Sequence, residues 1–284
     1  MNTLLAVFCP KKNRRTGASC FRFPKTGHIV APLLAVILVV LAACQRSTSE
    51  SQPLVVGMEL DYPPFEMRAP NGKPAGISVD LAEALAQRLG RPLVVENIPF
   101  AGLIPALKTG KIDLIISSMT ITEERRQSID FSEAYWRSGL ALLTYEGSGV
   151  RSIADLGTPD RRAVVKLGTT GHLYAREHFP NALVLDRMET ACLEVAQHKC
   201  AAFLYDQLTI LRAAGKNPGL VPLLQPIQIE NWGIGIAKGR GDLLAAVNQF
   251  VNETRQGGLL KTVAEKHLSP EIAAAKDWGG EFIY

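Results

Sequence analysis

The sequence predicts an α/β fold of two lobes, each a sheet flanked by helices, joined by two chain crossings. From Leu54 onward, short apolar runs alternate with segments of helical period, the pattern of strands that cross over through helices into parallel sheets. Two composition breaks, at residues 145–150 and 230–232, mark the crossings. Residues 54–143 with 231–284 then form one lobe, and 144–230 form the other. Residues 54–58 read as the first strand. Over 78–89 the side chains of Val79, Ala82, Leu85, Ala86 and Leu89 share one helical face, and Gly90 ends the helix. Further strands are predicted at 93–96, 113–117, 140–144, 163–166, 183–185 and 201–205, with helices at 103–109, 171–178, 189–198, 206–214 and 242–254. Thr122 followed by Glu123 to Arg125 reads as one more helix start. Ligands in such sheets lie beyond the carboxyl ends of strands, so the residues just after strands are the candidates for function.

The first 43 residues stand apart from this pattern. Six Lys and Arg residues and no acid precede an apolar run, 29–43, which closes in Leu41-Ala42-Ala43-Cys44. About 15 apolar residues fall short of the ~20 that span a bilayer core, so the segment reads as an export address. It resembles a bacterial lipoprotein signal peptide, which implies cleavage before Cys44 and a lipid on that cysteine. An uncleaved anchor helix is the alternative, and it leaves the rest of the chain on the same far side of the membrane. Residues 44–53, polar and Ser-rich, form a flexible tether.

Removing the leader changes the charge balance. Of 31 Lys and Arg residues six leave with it, so 25 face 27 acidic residues, a net charge of −2. No basic stripe with interleaved aromatics survives, which excludes a nucleic-acid partner. Of five cysteines, Cys9 and Cys20 lie in the leader and Cys44 is the lipid site, leaving Cys192 and Cys200. On a helix those two are roughly 12 Å apart, beyond the ~7 Å a disulfide tolerates. Two free thiols are expected, with a bridge left open if the chain beside Cys200 is irregular. No Cys-x-x-Cys and no His-Glu-x-x-His occurs, so no metal site is expected.

Four segments after strands carry unusual chemistry. They are Glu59-Leu60-Asp61-Tyr62-Pro63-Pro64-Phe65, Ser117-Ser118-Met119-Thr120-Ile121-Thr122-Glu123-Glu124-Arg125, Gly168-Thr169-Thr170-Gly171 and Phe203-Leu204-Tyr205-Asp206-Gln207. In that order, and with Phe100-Ala101-Gly102-Leu103-Ile104-Pro105-Ala106-Leu107, they resemble family 3 of the bacterial extracytoplasmic solute-binding proteins, the polar amino-acid receptors of ABC importers. The resemblance covers residues 54–268. It implies a type II periplasmic-binding fold, a free amino acid as ligand, no cofactor, an ABC transporter permease as partner, and a monomer held by lipid at a bacterial membrane outside the cytoplasm.

Elementary chemistry points to the same residues. An amino acid carries a carboxylate and an ammonium on one carbon, so a buried site must supply a fixed cation, a fixed anion and neutral hydrogen-bond partners. Arg125 and Asp206 suit those roles, because a guanidinium matches a carboxylate in a two-bond fork. The resemblance places the ligand carboxylate on Arg125, the Thr120 hydroxyl and the Thr170 backbone N–H at a helix start, where anions are favoured. It gives the ammonium to Asp206 and Ser118, with Ser117 beside them. Tyr62 and Phe100 match positions whose rings sandwich the ligand's aliphatic stem, and Glu59 matches one that meets the distal group of its side chain. A carboxylate there tilts the expectation towards a basic or amide side chain. Asp206 also reads as a helix N-cap.

An enzyme on the same scaffold is the alternative, since some relatives of that family are dehydratases of the cyclohexadienyl type. The sequence has no Gly-x-Ser-x-Gly elbow and no P-loop, and Gly233-Ile234-Gly235 lacks the spacing of a dinucleotide fingerprint, so no enzyme is expected. A sensory receptor with these lobes would need a following membrane helix and signalling domain, and the chain reaches Tyr284 without one.

Overall fold

The computed structural model describes residues 52–277, with side chains as far as Leu268. The leader, Cys44 and the tether up to Ser51 lie outside the described residues, as do 278–284.

One sheet of eight strands runs through the molecule. Its first half holds β1 (Leu54–Met58) between β5 (Leu93–Asn97) and β6 (Leu114–Ile115), all parallel. Its second half holds β8 (Ala163–Lys166) between β9 (Leu183–Leu185) and β10 (Ala202–Asp206), again parallel. Two long antiparallel strands, β7 (Asp130–Tyr145) and β11 (Leu220–Ile236), lie side by side at the centre. The end of β11 pairs with β6, and Leu140–Leu143 of β7 face β10, so both strands serve both halves. β2 (Asp61–Tyr62), β3 (Glu66–Arg68) and β4 (Pro74–Ala75) form a small antiparallel sheet after β1.

Helices cover the sheet. α1 (Ile77–Arg88) buries Val79, Ala82, Leu85 and Ala86 of the predicted face together with Ile77 and Leu81, while Leu89, just past its end, is half-buried. Its end is fixed by Gly90, whose φ of 63° lets Arg91 N–H reach back to the Ala86 carbonyl. α2 (Leu103–Lys108) and α3 (Glu123–Ser128) follow in the first half, α4 (Thr170–His178), α5 (Met188–Ala196) and α6 (Gln207–Lys216) in the second. α7 (Gly241–Gln256) and α8 (Leu259–Asp277) return to the first half, where α7 buries Val247, Phe250 and Val251. Tyr62, Phe65, Trp136 and Trp232 stack edge and face between β2 and the central strands.

The crossings differ from the expectation of two short breaks. Only 140–144 was expected to be extended there, yet β7 is 16 residues long and β11 is 17. Pro222 and Pro226 argue against a strand over β11, because proline cannot donate to a ladder. The sheet accommodates Pro226 with a register shift between Leu223 and Gln228, while Pro222 stays in register opposite Leu143. Cys192 and Cys200 are both free thiols, and burial pushes the Cys192 thiol up to about 12.

Candidate functional site

All nine residues expected to touch a ligand line one cavity between the two halves of the sheet. Eight of its lining residues come from 59–125 and four from 169–206. The loops after β1, β6, β8 and β10 converge there, as parallel strands pointing their carboxyl ends at one cleft require. Its water-accessible space is about 20 Å³, near the ~10–15 Å³ that one water needs. In this geometry the halves are closed upon each other.

Arg125 sits at the first turn of α3, where the Thr122 hydroxyl caps the helix by accepting from the Arg125 backbone N–H at 3.2 Å. Its side chain is buried and turned inward. Nη1 donates to the Thr120 carbonyl at 2.6 Å and Nη2 to the Gly168 carbonyl at 2.9 Å, so one guanidinium ties the two sides of the cleft together. The Phe100 ring lies 5.4 Å beneath its Cζ. Burial lowers the guanidinium to about 10, against the pull of Glu230, Asp206 and Glu124 in the other direction.

Asp206 ends β10 at the N-cap position of α6, yet its side chain makes no capping hydrogen bond. The carboxyl belongs to the cavity instead. Burial, then the charge and hydrogen bond of Glu230, hold it well above the usual carboxylate range. Tyr62 is buried with its hydroxyl beside Asp206 and Thr209, without a hydrogen bond of regular geometry. The Thr120 hydroxyl donates to Glu230 at 3.2 Å, and the Gln228 amide occupies the other Glu230 oxygen at 3.1 Å.

Thr170 is the first residue of α4, whose opening amides have no partner within the helix. Thr169 caps that helix and bonds the Lys166 carbonyl at 2.7 Å. Gly171 is required by closeness, since a Cβ there would stand 2.4 Å from the Leu204 carbonyl oxygen.

The remaining side of the cavity is rich in carboxyls. Glu59 accepts from the Phe100 N–H at 3.2 Å and pairs through its other oxygen with the ammonium of Lys166. Glu66, fully buried, is hydrogen-bonded by Ser78 at 2.6 Å, Ser118 at 3.1 Å and Ser117 at 3.3 Å. Those hydroxyls favour the ion, but burial outweighs them and raises the carboxyl to about 8. Ser118 adopts φ 49°, a left-handed conformation rare for serine and found where a site dictates the backbone.

Lys166, Glu66, Glu230 and Tyr205 are residues of the site that the sequence reading passes over. A single lysine ending the run Ala163-Val164-Val165 was the one available signal for Lys166. A larger, mostly apolar cavity of about 320 Å³ lies between α5 and α6 beside Pro63 and holds none of the nine expected residues.

Residues 54–270 match the family described as bacterial extracellular solute-binding proteins, family 3. The L-arginine-binding protein of Pseudomonas aeruginosa is 32% identical over 234 residues, which are 78% of this chain and 90% of that protein. Among solved structures, a mutant of ArgBP from T. maritima is 35% identical with a TM-score of 0.71, over 76% of this chain and 95% of that one. The ancestral amino acid-binding protein AncCDT-1, a precursor of cyclohexadienyl dehydratase, is 33% identical with a TM-score of 0.69, over 76% and 95%. On this match in sequence and fold, the chain belongs to family 3 of the bacterial extracellular solute-binding proteins.

Proposed function

We propose that this protein binds a free polar amino acid outside the cytoplasm by closure of two lobes, and delivers it to the permease of an ABC importer. The observation that carries the reading is the pair Arg125 and Asp206, a guanidinium and a carboxyl drawn from opposite halves of the sheet into one cavity. The lobes are 54–143 with 231–284, and 144–230. In the bound form Arg125 grips the α-carboxylate with the Thr120 hydroxyl and Thr170 N–H, displacing the Gly168 carbonyl from its fork. Asp206 and Ser118 take the ammonium, while Tyr62 and Phe100 hold the stem. Ser117 stands beside Ser118, and Glu59 meets the distal group, which is basic or an amide. A cavity with room for little more than one water admits an amino acid only after the lobes part, so binding and closure are one equilibrium. Cys44 carries the lipid that holds a monomer to the membrane.

The protein acts as a receptor without turnover. The likeness to AncCDT-1 makes a dehydratase the second reading, and incubation with cyclic carboxylates tests it, with no product expected. For the receptor, a thermal-shift panel of the twenty amino acids on the purified protein is expected to show selective stabilisation, with Kd roughly micromolar to nanomolar, about −8 to −12 kcal/mol. Arg125→Ala and Asp206→Ala should each abolish it. Unchanged titrations in both variants would refute the site.

A further inference from the structure

Glu230 touches a residue at either end of the site, yet the grip on an amino acid described above does not use it. It is carried by β11 and is only 1% exposed. The strand is fixed beside the first lobe by the Ile121 N–H, which donates to the Asn231 carbonyl, and by the bridge between Thr120 and Trp232. One Glu230 oxygen accepts from the Thr120 hydroxyl at 3.2 Å and the other from the Gln228 amide at 3.1 Å. The same carboxyl is hydrogen-bonded to that of Asp206. Two carboxyls in such contact need a proton between them, and the two donors already on Glu230 leave Asp206 as its holder. Arg125 does not replace that proton, because its two hydrogen bonds go to the Thr120 and Gly168 carbonyls. Tyr62, Tyr205 and Glu66 also face Asp206, and none of them is a cation.

We propose that Glu230 stores the proton that Asp206 gives up when an amino acid binds, so that the carboxylate and ammonium ends of the ligand are recognised through one relay, Thr120–Glu230–Asp206. The inference rests on the amino-acid reading given above and deepens it. The ligand carboxylate draws the Thr120 hydroxyl away from Glu230, which loses a donor. The ligand ammonium is held firmly only by an ionised Asp206. The Asp206 O–H bond therefore breaks, an O–H bond forms on Glu230, and the hydrogen bond between them survives with its direction reversed. Charge explains why the proton stays. Before binding, Arg125 faces one carboxylate of the pair, while Glu59 and Lys166 cancel as an ion pair. A zwitterion adds no net charge. Loss of the proton to solvent would set two carboxylates against one guanidinium, in a cavity with almost no room for water to screen them. Glu230 is thus a positioning residue that acts on the ligand through Asp206 and Thr120.

Infrared difference spectroscopy of the full chain, bound minus free, tests this, with whichever of the twenty L-amino acids stabilises the protein most as the probe. The wild type should lose one protonated-carboxyl band and gain another, and an isotopic carbon label on the glutamate residues should move the gained band alone. In Glu230→Gln the gained band should vanish, since an amide cannot store the proton. Titration calorimetry at pH 7 in buffers of unlike ionisation enthalpy should count close to zero protons released by the wild type, against about one if the proton leaves. A lost band without a gained one, a spectrum in which neither changes, or a count near one overturns the proposal. A glutamate with a merely structural role would alter affinity in Glu230→Gln and leave both bands in place, which overturns it too. The labelled wild type decides even if that variant fails to fold. If the wild type binds none of the twenty amino acids, the amino-acid reading falls and takes this proposal with it. Binding without the proton shift sinks the proposal alone.

Discussion

Glu66 and Arg125 are displaced in opposite directions for one reason, the removal of a charged form from water. For Glu66 the consequence is measurable in stability. Its carboxyl holds a proton to about 8 in the folded protein against 4.5 ordinarily, so unfolding releases protons within that window. Stability is then greatest below the window and falls as pH rises through it. Calorimetry at pH 5, 7 and 9 should show that Glu66→Gln removes this decline, by about 3–5 kcal/mol across the range; parallel decline in variant and wild type rejects the assignment. Arg125 makes a different prediction, because its value lies in a planar fork. Arg125→Lys keeps the charge and should still lose about tenfold to a hundredfold in affinity by titration, as one ammonium cannot offer a ligand carboxylate the two parallel hydrogen bonds of a guanidinium. The nine expected residues were reached from sequence through the order of their motifs and the family resemblance those motifs carry, and the structure gathers all nine at one cavity. Lys166 could not be reached that way, since its partner Glu59 is 107 positions away and a charged residue closing a strand ordinarily faces water.

At the scale of elements, the N-terminus of α4 shows how a loop motif becomes a site. Gly168-Thr169-Thr170-Gly171 turns the chain from β8 into α4, and the last glycine lets the helix lie directly on β10, which ends in Asp206. Gly171→Ala would force a methyl into the Leu204 carbonyl. It should lower stability by about 1–3 kcal/mol and weaken ligand binding together with it, read by thermal denaturation and titration on one sample. A variant as stable as the wild type would show that α4 can shift at no cost. Elements with a plain period were readable from sequence: β1, β8 and β9 occupy the predicted ranges, and the predicted helices differ by a residue or two at their ends. The crossing strands were not readable, because β7 is interrupted by Glu133 and Arg137 and β11 by two prolines. Their extended state comes from pairing with each other, a tertiary effect that local propensity does not contain.

At the scale of the whole molecule, ligand affinity and lobe closure share one free energy, since only contacts made from both sides distinguish closed from open. Ligand at a hundred times its Kd should raise stability by about 2.7 kcal/mol and reduce the radius of gyration in small-angle scattering. Arg125→Ala with Asp206→Ala should lose little more than either single variant, because closure needs both partners. Additive losses would mean that the two residues act independently. The central strands add a mechanical consequence. β7 and β11 are hydrogen-bonded ribbons through the middle of a continuous sheet, so opening cannot proceed by swinging on slack loops. The ladder itself has to flex and twist, most easily where Pro226 interrupts the pairing between Leu223 and Gln228. The molecule then behaves as a leaf spring, and stiffening that short stretch would slow the release of cargo without touching a single atom that contacts it.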